Sequence, residues 1–185
     1  MHHTLVAYVE DKPGVLNRVA SLFRRRAFNI ESLAVGHTDQ PGVSRMTIVV
    51  DTDELGARRL EANLYKLVNV LRVQDVTGDA AVVRDLALIK VAADGVTRAH
   101  IMQLCDVFRA RVVDVTNESL VIEITGAEGK IDGLMEVLRP YGIIEMVRTG
   151  VVAMRRGPNA VNPDPPRVAA HVPAEAPDSA VAYSV

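Results

Sequence analysis

The sequence predicts an α+β protein made of two successive β-α-β-β-α-β units and a tail without regular structure. Short β-prone runs alternate with segments whose apolar residues repeat at helical spacing, and the same order of elements occurs twice. Hydrophobic residues make up 49% of the 185 positions, which is sufficient for the cores of two small domains. Each unit therefore corresponds to a split β-α-β motif.

The elements of the first unit follow from turn residues and apolar spacing. Apolar residues at 15, 16, 19, 22 and 23 indicate a helix with Pro13 in its first turn, and the residues at 39–42 are a strong turn signal between two strands. The predicted elements are, in order, a strand at 4–10, this helix, strands at 30–38 and 44–51, a helix from 53 that carries Leu60, Leu64 and Leu67, and a strand at 70–76.

The second unit repeats this order after a short polar break. The predicted elements are a strand at 82–92, a helix around 101–108, a hairpin of strands at 111–115 and 120–125, a helix around 131–138 and a last strand at 143–154. Residues from 158 onward hold six of the nine prolines and show no periodic apolar face, which predicts a disordered tail.

Several kinds of chemistry are disfavoured by the residues themselves. The net charge of −2 provides no positive field for nucleic acid, and the strand at 44–50 lacks the aromatic residues that an RNA-stacking sheet needs. The five histidines are far apart along the chain and lack ligand-type neighbours, so we expect surface histidines and no metal site. Cys105 lies on a predicted buried helical face and is expected to be a small core residue.

We also expect a cytoplasmic protein with no membrane partner and no catalytic residues. A single cysteine excludes an intrachain disulfide, which fits a reducing compartment, and the sequence shows no signal-peptide pattern and no apolar run of membrane length. No convergent set of acid, base and nucleophile is present in the sequence pattern, so a small enzyme is the least favoured interpretation.

The turn at 11–16 is the strongest candidate for a binding site. Here a strand delivers the chain to the N-terminus of a helix, whose first backbone N–H groups can bind a carboxylate. Gly14 leaves room for a close approach, and Asp11 can accept hydrogen bonds from a ligand ammonium group. These residues alone leave a second interpretation open, in which the segment is an ordinary tight turn and Asp11 caps the helix.

Three stretches together resemble one known family. They are 9–16 (Val-Glu-Asp-Lys-Pro-Gly-Val-Leu), 28–33 (Phe-Asn-Ile-Glu-Ser-Leu) and 44–48 (Ser-Arg-Met-Thr-Ile), and they resemble the small, regulatory subunit of acetohydroxyacid synthase, also called acetolactate synthase. The second and third stretches are quite specific. The likeness continues through 66–70, 114–116 and 148–151 and extends over residues 2–157, whereas the tail does not match.

This resemblance implies an N-terminal ACT domain at 1–77, a linker at 78–81 and a ferredoxin-like C-terminal domain at 82–157, with the disordered tail at 158–185. It implies a homodimer formed through the ACT domains and a partner catalytic subunit, a transferase that holds thiamine diphosphate, Mg2+ and FAD, none of which should bind to this chain. In this family the small subunit stimulates the catalytic subunit in branched-chain amino acid biosynthesis. It also confers feedback inhibition by valine, and in some members by leucine or isoleucine.

The effector of this family lies between two ACT domains. Gly14 and Val15 match the positions whose backbone would meet the effector carboxylate, and Asn29 and Ile30 match the segment contributed by the neighbouring domain. Asp11 departs from the pattern, since many members carry Asn there, and its charge can pair with the ligand ammonium group but repels the ligand carboxylate. The candidate effector-binding residues are therefore Asp11, Gly14, Val15, Leu16, Asn29 and Ile30.

One alternative function remains open on the sequence alone. In it, the chain is a stand-alone ACT-type amino-acid sensor or adaptor that acts on a different enzyme or on a transcriptional regulator. The identity of the bound partner protein distinguishes this alternative from the regulatory-subunit interpretation.

Overall fold

The computed structural model describes residues 1–157, so the predicted tail at 158–185 lies outside the described residues. The described chain forms two antiparallel sheets, and two helices pack on one face of each sheet. This is the α+β fold of two ferredoxin-like units that the sequence predicts. None of the helices within 1–157 is long and apolar enough to cross a membrane.

The first unit consists of β1 (His2–Glu10), α1 (Val15–Arg25), β2 (Ile30–His37), β3 (Val43–Asp51), α2 (Glu54–Leu64) and β4 (Val70–Asp75). Its strand order is β2-β3-β1-β4, which leaves β2 at an edge. Its core is formed by the inward residues of the sheet and the apolar faces of the two helices. The second helix begins where the sequence predicts, because the Asp53 side chain accepts a hydrogen bond of 2.7 Å from the Gly56 amide and caps the helix.

The second unit consists of β5 (Ala81–Ala92), α3 (Thr97–Phe108), β6 (Arg111–Val115), β7 (Ser119–Gly126), α4 (Glu128–Leu138), a 3-10 turn (Arg139–Tyr141), β8 (Ile143–Arg148) and β9 (Val152–Arg155). Its strands follow the corresponding order β6-β7-β5-β8, and it has a separate apolar core. Cys105 belongs to this core at 2% exposure, and burial raises the pKa of its thiol, so the predicted role as a small core residue is confirmed.

Two predicted helix features of the first unit are wrong. Pro13 is not in the first turn of α1, because Gly14 adopts a left-handed conformation with φ of 84° and the helix begins only after it. Leu67 lies beyond the end of α2, although it still packs against the first core.

The predicted last strand at 143–154 is instead two strands. Gly150 has φ of 85°, a left-handed conformation that interrupts the extended chain between β8 and β9. After this turn, β9 pairs in antiparallel fashion with the first part of β5, from Ala81 to Arg84. Ala153 then packs with Val6 and Val76 on the face of the first sheet opposite its helices. The second unit thus covers part of the first.

Candidate effector site

The turn before α1 leaves an open space beside a helix N-terminus. Gly14 is the N-cap residue, and a Cβ atom placed on it would meet nothing within 4 Å. No side chain caps α1. Of the first-turn N–H groups, that of Val15 bonds to the carbonyl of Lys12, whereas those of Leu16 and Asn17 have no acceptor within the helix. These groups carry the positive end of the helix dipole, and the turn is therefore suited to a carboxylate.

Asp11 does not cap the helix, so this part of the alternative interpretation of the turn is wrong. Its backbone amide donates a hydrogen bond of 2.8 Å to the carbonyl of Gly42, and its Oδ2 lies 3.3 Å from Nδ1 of His37 at the end of β2. The two side chains are 45% and 83% exposed, and an ion pair in such a position contributes little to stability. The Asp11 carboxylate therefore stays available at the rim of the turn.

Residues that the sequence analysis did not identify hold the turn in place. Asn69 donates a hydrogen bond of 2.5 Å to the carboxylate of Glu10, and its own carbonyl oxygen accepts one from Arg18 in α1. Hydrogen bonds from Asn69 and then Lys12 lower the pKa of Glu10. The only sequence signal for Asn69 was its place in the stretch 66–70 that shared the family resemblance.

The second predicted part of the site lies at the other end of the same sheet. Ile30 pairs with Val50 at the beginning of β2, whereas Asp11 contacts His37 at its end. Since a strand rises about 3.3 Å per residue, the two ends of β2 are roughly 23 Å apart. Asn29 is exposed next to Ile30 and donates a hydrogen bond of 2.6 Å to Glu31. One chain therefore does not bring all six predicted residues together.

The strand between the two parts has an unpaired edge. Within residues 1–157, β2 pairs with β3 alone, so its outer edge presents free backbone donors and acceptors. Val35 on this strand is 47% exposed, and Leu16 at the start of α1 is 45% exposed. The candidate site is thus built of two halves at opposite ends of an open sheet edge.

The histidines behave differently from one another. His3 is 5% exposed and its Nδ1 lies 2.8 Å from Oδ2 of Asp75, so the expectation of surface histidines is wrong at this position. Burial raises the pKa of Asp75, but hydrogen bonds from Thr77 and His3 outweigh it and the pKa is lowered overall. Among the residues that the structure describes, no group of three or more potential ligands is placed to hold a metal ion.

Comparison with known proteins assigns both units. The model of the AHAS small subunit-like ACT domain matches residues 5–72, and the model of the small subunit of acetolactate synthase matches residues 84–157. The chain belongs to the acetolactate synthase small-subunit family. Both matches fall within the two sheets described above, and the turn at 11–16 and Asn29 lie in the ACT domain.

Relatives of this small-subunit family align with nearly the whole described chain. The acetolactate synthase small subunit of Mycolicibacterium smegmatis is 52% identical over 159 residues, which cover 86% of this chain and 94% of the relative. A probable acetolactate synthase small subunit of Archaeoglobus fulgidus is 49% identical and is covered over 98% of its length. The crystal structure of the small subunit from Thermotoga maritima matches with a TM-score of 0.79 at 40% identity, covering 85% of this chain and 98% of that one.

Proposed function

We propose that this chain is the regulatory subunit of an acetolactate synthase and that it confers feedback inhibition by valine. In this proposal it carries no catalytic residues and stimulates a catalytic large subunit, which alone binds thiamine diphosphate, Mg2+ and FAD. The observation that carries the proposal is the turn at Gly14, where an uncapped helix N-terminus opens onto an unfilled space in an ACT domain.

Dimerisation through β2 would complete the effector site. When two copies of β2 pair in antiparallel fashion about a two-fold axis, the Ile30 end of one strand lies beside the His37 end of the other. Asn29 and Ile30 of one chain would then approach Gly14 of its partner, although the two parts are far apart within one chain. The free outer edge of β2 supports this arrangement because an open edge is a template for a further strand.

The chemistry of such a site suits an apolar α-amino acid. The first-turn N–H groups of α1 would bind the carboxylate, and the exposed carboxylate of Asp11 would accept hydrogen bonds from the ammonium group. Leu16, which is 45% exposed beside the turn, offers apolar contact to a short branched side chain. Valine fits these three requirements.

Reconstitution with the cognate large subunit tests the proposal. We expect the purified chain to form no acetolactate from pyruvate, to raise the turnover of the large subunit, and to make that turnover sensitive to valine. Turnover by this chain alone, or a large subunit whose rate and valine response do not change when the chain is added, would contradict it. Affinity capture from the native host that recovers a different enzyme or a transcriptional regulator would support the stand-alone sensor instead.

A further inference from the structure

The stretches that carry the family resemblance come together where the two units meet. The Ser32 hydroxyl in β2 accepts a hydrogen bond of 2.9 Å from the Val151 amide, which lies in the turn between β8 and β9. Arg45 in β3 donates a hydrogen bond to the carbonyl of Ala153 in β9. Ser32 and Arg45 belong to the first unit, whereas the donor amide of Val151 and the acceptor carbonyl of Ala153 belong to the second.

The turn at 148–151 approaches Ser32 so closely that a side chain at Gly150 would displace the Ser32 hydroxyl. A Cβ atom on Gly150 would lie 2.7 Å from the Ser32 Oγ and 3.7 Å from the backbone of Leu33. We refer to the contact of Ser32 with Gly150 and Val151 as the junction contact. An open cleft of about 340 Å³ lies beside it and is lined by residues of both units, among them Glu31 and Glu128.

On the side of the second unit, the same turn is firmly anchored. Asp85 in β5 is 3% exposed, and its carboxylate accepts hydrogen bonds of 2.6 Å from Arg148 and 3.2 Å from Thr149. Arg148 also donates a hydrogen bond of 2.9 Å to Asp132 in α4. Side-chain hydrogen bonds therefore connect the turn to both β5 and α4.

On the side of the first unit, Ser32 lies two residues after Ile30, the last residue of the proposed effector segment. The pairing of β2 with β3 shifts register between Ile30 and Ser32, so the strand is irregular at Glu31. Asn29 donates its side-chain hydrogen bond to this same Glu31. Ile30, which is proposed to contact the effector, is thus two positions before Ser32, which binds the second unit.

We propose that Ser32 transmits effector binding to the second unit through the junction contact. This inference rests on the proposed function and adds the route of regulation for the same site. An effector held by Asn29 and Ile30 fixes the start of β2 and thereby the Ser32 hydroxyl that holds the Val151 amide. A ligand shifts a conformational equilibrium only when it binds two states with unequal affinity. Through the junction contact, the two states that bind the effector unequally also differ in the position of the second unit. Ser32 is a positioning residue, because it does not itself bind the effector.

The test separates valine affinity from valine inhibition in the complex with the large subunit. For Ser32→Ala we expect a valine dissociation constant within about twofold of the parent by calorimetry, while the maximal inhibition at saturating valine falls by at least about half. Ser32→Thr retains a hydroxyl and should restore the inhibition of the parent. Stimulation of the large subunit without valine should be the same in all three proteins.

A pair of glycine variants provides an independent arm with a matched control. Gly150→Ala inserts a methyl group into the junction contact, whereas Gly142→Ala adds a methyl group to another glycine of positive φ, 90°, where the nearest atom is 3.8 Å away. We expect only Gly150→Ala to reduce maximal inhibition while both still bind valine.

The possible outcomes are distinct. If Ser32→Ala is inhibited to the same level as the parent, or if it loses valine binding together with inhibition, the inference is overturned and the proposed function stands. If the parent itself neither binds valine nor responds to it, the proposed function fails first. Hydrogen exchange of the second unit should slow on valine addition in the parent and remain unchanged in Ser32→Ala.

Discussion

Two glycines with nearly the same φ have opposite surroundings. Gly14 and Gly150 have φ of 84° and 85°, but the first faces open space and the second faces the Ser32 hydroxyl at a distance too short for any side chain. A substitution at Gly14 therefore changes what can enter the space, whereas a substitution at Gly150 changes how the two units meet. Conformation alone would not distinguish these two consequences.

We predict that Gly14→Asp abolishes valine inhibition and spares stimulation of the large subunit. The new carboxylate would face that of the effector, and two unit charges about 4 Å apart repel by roughly 4 kcal/mol at an effective dielectric of about 20. Even half of this value weakens binding about thirtyfold. Asn29→Ala should act in the same direction more mildly, since it removes about 1 kcal/mol of hydrogen bonding without adding repulsion. Calorimetry with valine measures both effects.

Gly142→Asp is the control for this prediction, because it adds the same charge at another glycine of positive φ, 90°, in the other unit. It should bind valine like the parent. Should Gly14→Asp remain a folded dimer and bind valine as tightly as the parent, the effector site does not lie at this turn.

We predict that Asp85→Asn destabilises the protein much more than Asp132→Asn, although both side chains bind Arg148. Asp85 is 3% exposed, and its loss leaves a partly buried guanidinium without its ion-pair partner at Nε, which should cost about 2 kcal/mol of unfolding free energy. Asp132 is 56% exposed, so its loss should cost less than about 0.5 kcal/mol. Chemical denaturation measures both, and equal losses would contradict the prediction.

At the scale of elements, local sequence signals account for most of the fold. The helices and hairpins were predictable because their apolar spacing and turn residues are contiguous, as with Asp53 at the start of α2. The separate strand β9 was not predictable in this way. Gly150 is a single residue inside an apolar run, and the turn at this glycine contacts Ser32 in the other unit.

The residues of the candidate site were likewise only partly predictable from local sequence. The turn at Gly14 could be deduced from its own residues, whereas Asn29 and Ile30 came from the resemblance alone. Asn69 could not be found, because its hydrogen bonds to Arg18 and Glu10 join residues 51 and 59 positions apart. Side-chain pairings across such separations leave no local pattern in the sequence.

The helix α2 contains a carboxylate in an unfavourable place. Burial, together with the nearby charge of Asp75, raises the pKa of Glu61. A pKa that is higher in the folded than in the unfolded state means that the folded protein is penalised once the pH exceeds the unfolded pKa, and the penalty disappears below both values. We therefore predict that Glu61→Gln stabilises the protein at pH 7 by up to about 0.5 kcal/mol.

Thermal unfolding at two pH values tests this prediction. The melting temperature of Glu61→Gln should exceed that of the parent by about 1–2 °C at pH 7 and equal it near pH 3.5. Glu136→Gln, on an exposed position of α4, is the control and should show no pH-dependent difference. A gain that is larger in acid than at neutral pH would have the wrong sign.

At the scale of the whole molecule, the proposed regulation requires a second copy, because one chain holds the two halves of the site at opposite ends of β2. We predict that Val35→Lys, which places a charge on the exposed edge strand, yields a monomer that no longer binds valine. Val68→Lys introduces the same charge at a residue that is 91% exposed and should leave the dimer intact. Sedimentation equilibrium distinguishes the two, and a Val35→Lys variant that sediments as a dimer would remove β2 as the interface.

The position of β9 also determines when its contacts with the first sheet can form during synthesis and folding. Val6 and Val76 belong to the first unit, which is synthesised first. Ala153, which packs on them, is translated only after the rest of the second unit. Contacts across such long separations form late, and apolar surface left open in the meantime is prone to association with other nascent chains. The docking of β9 on the first sheet can therefore only follow synthesis of nearly the whole described chain, and a chain that ends before Val152 leaves Val6 and Val76 without the cover of Ala153.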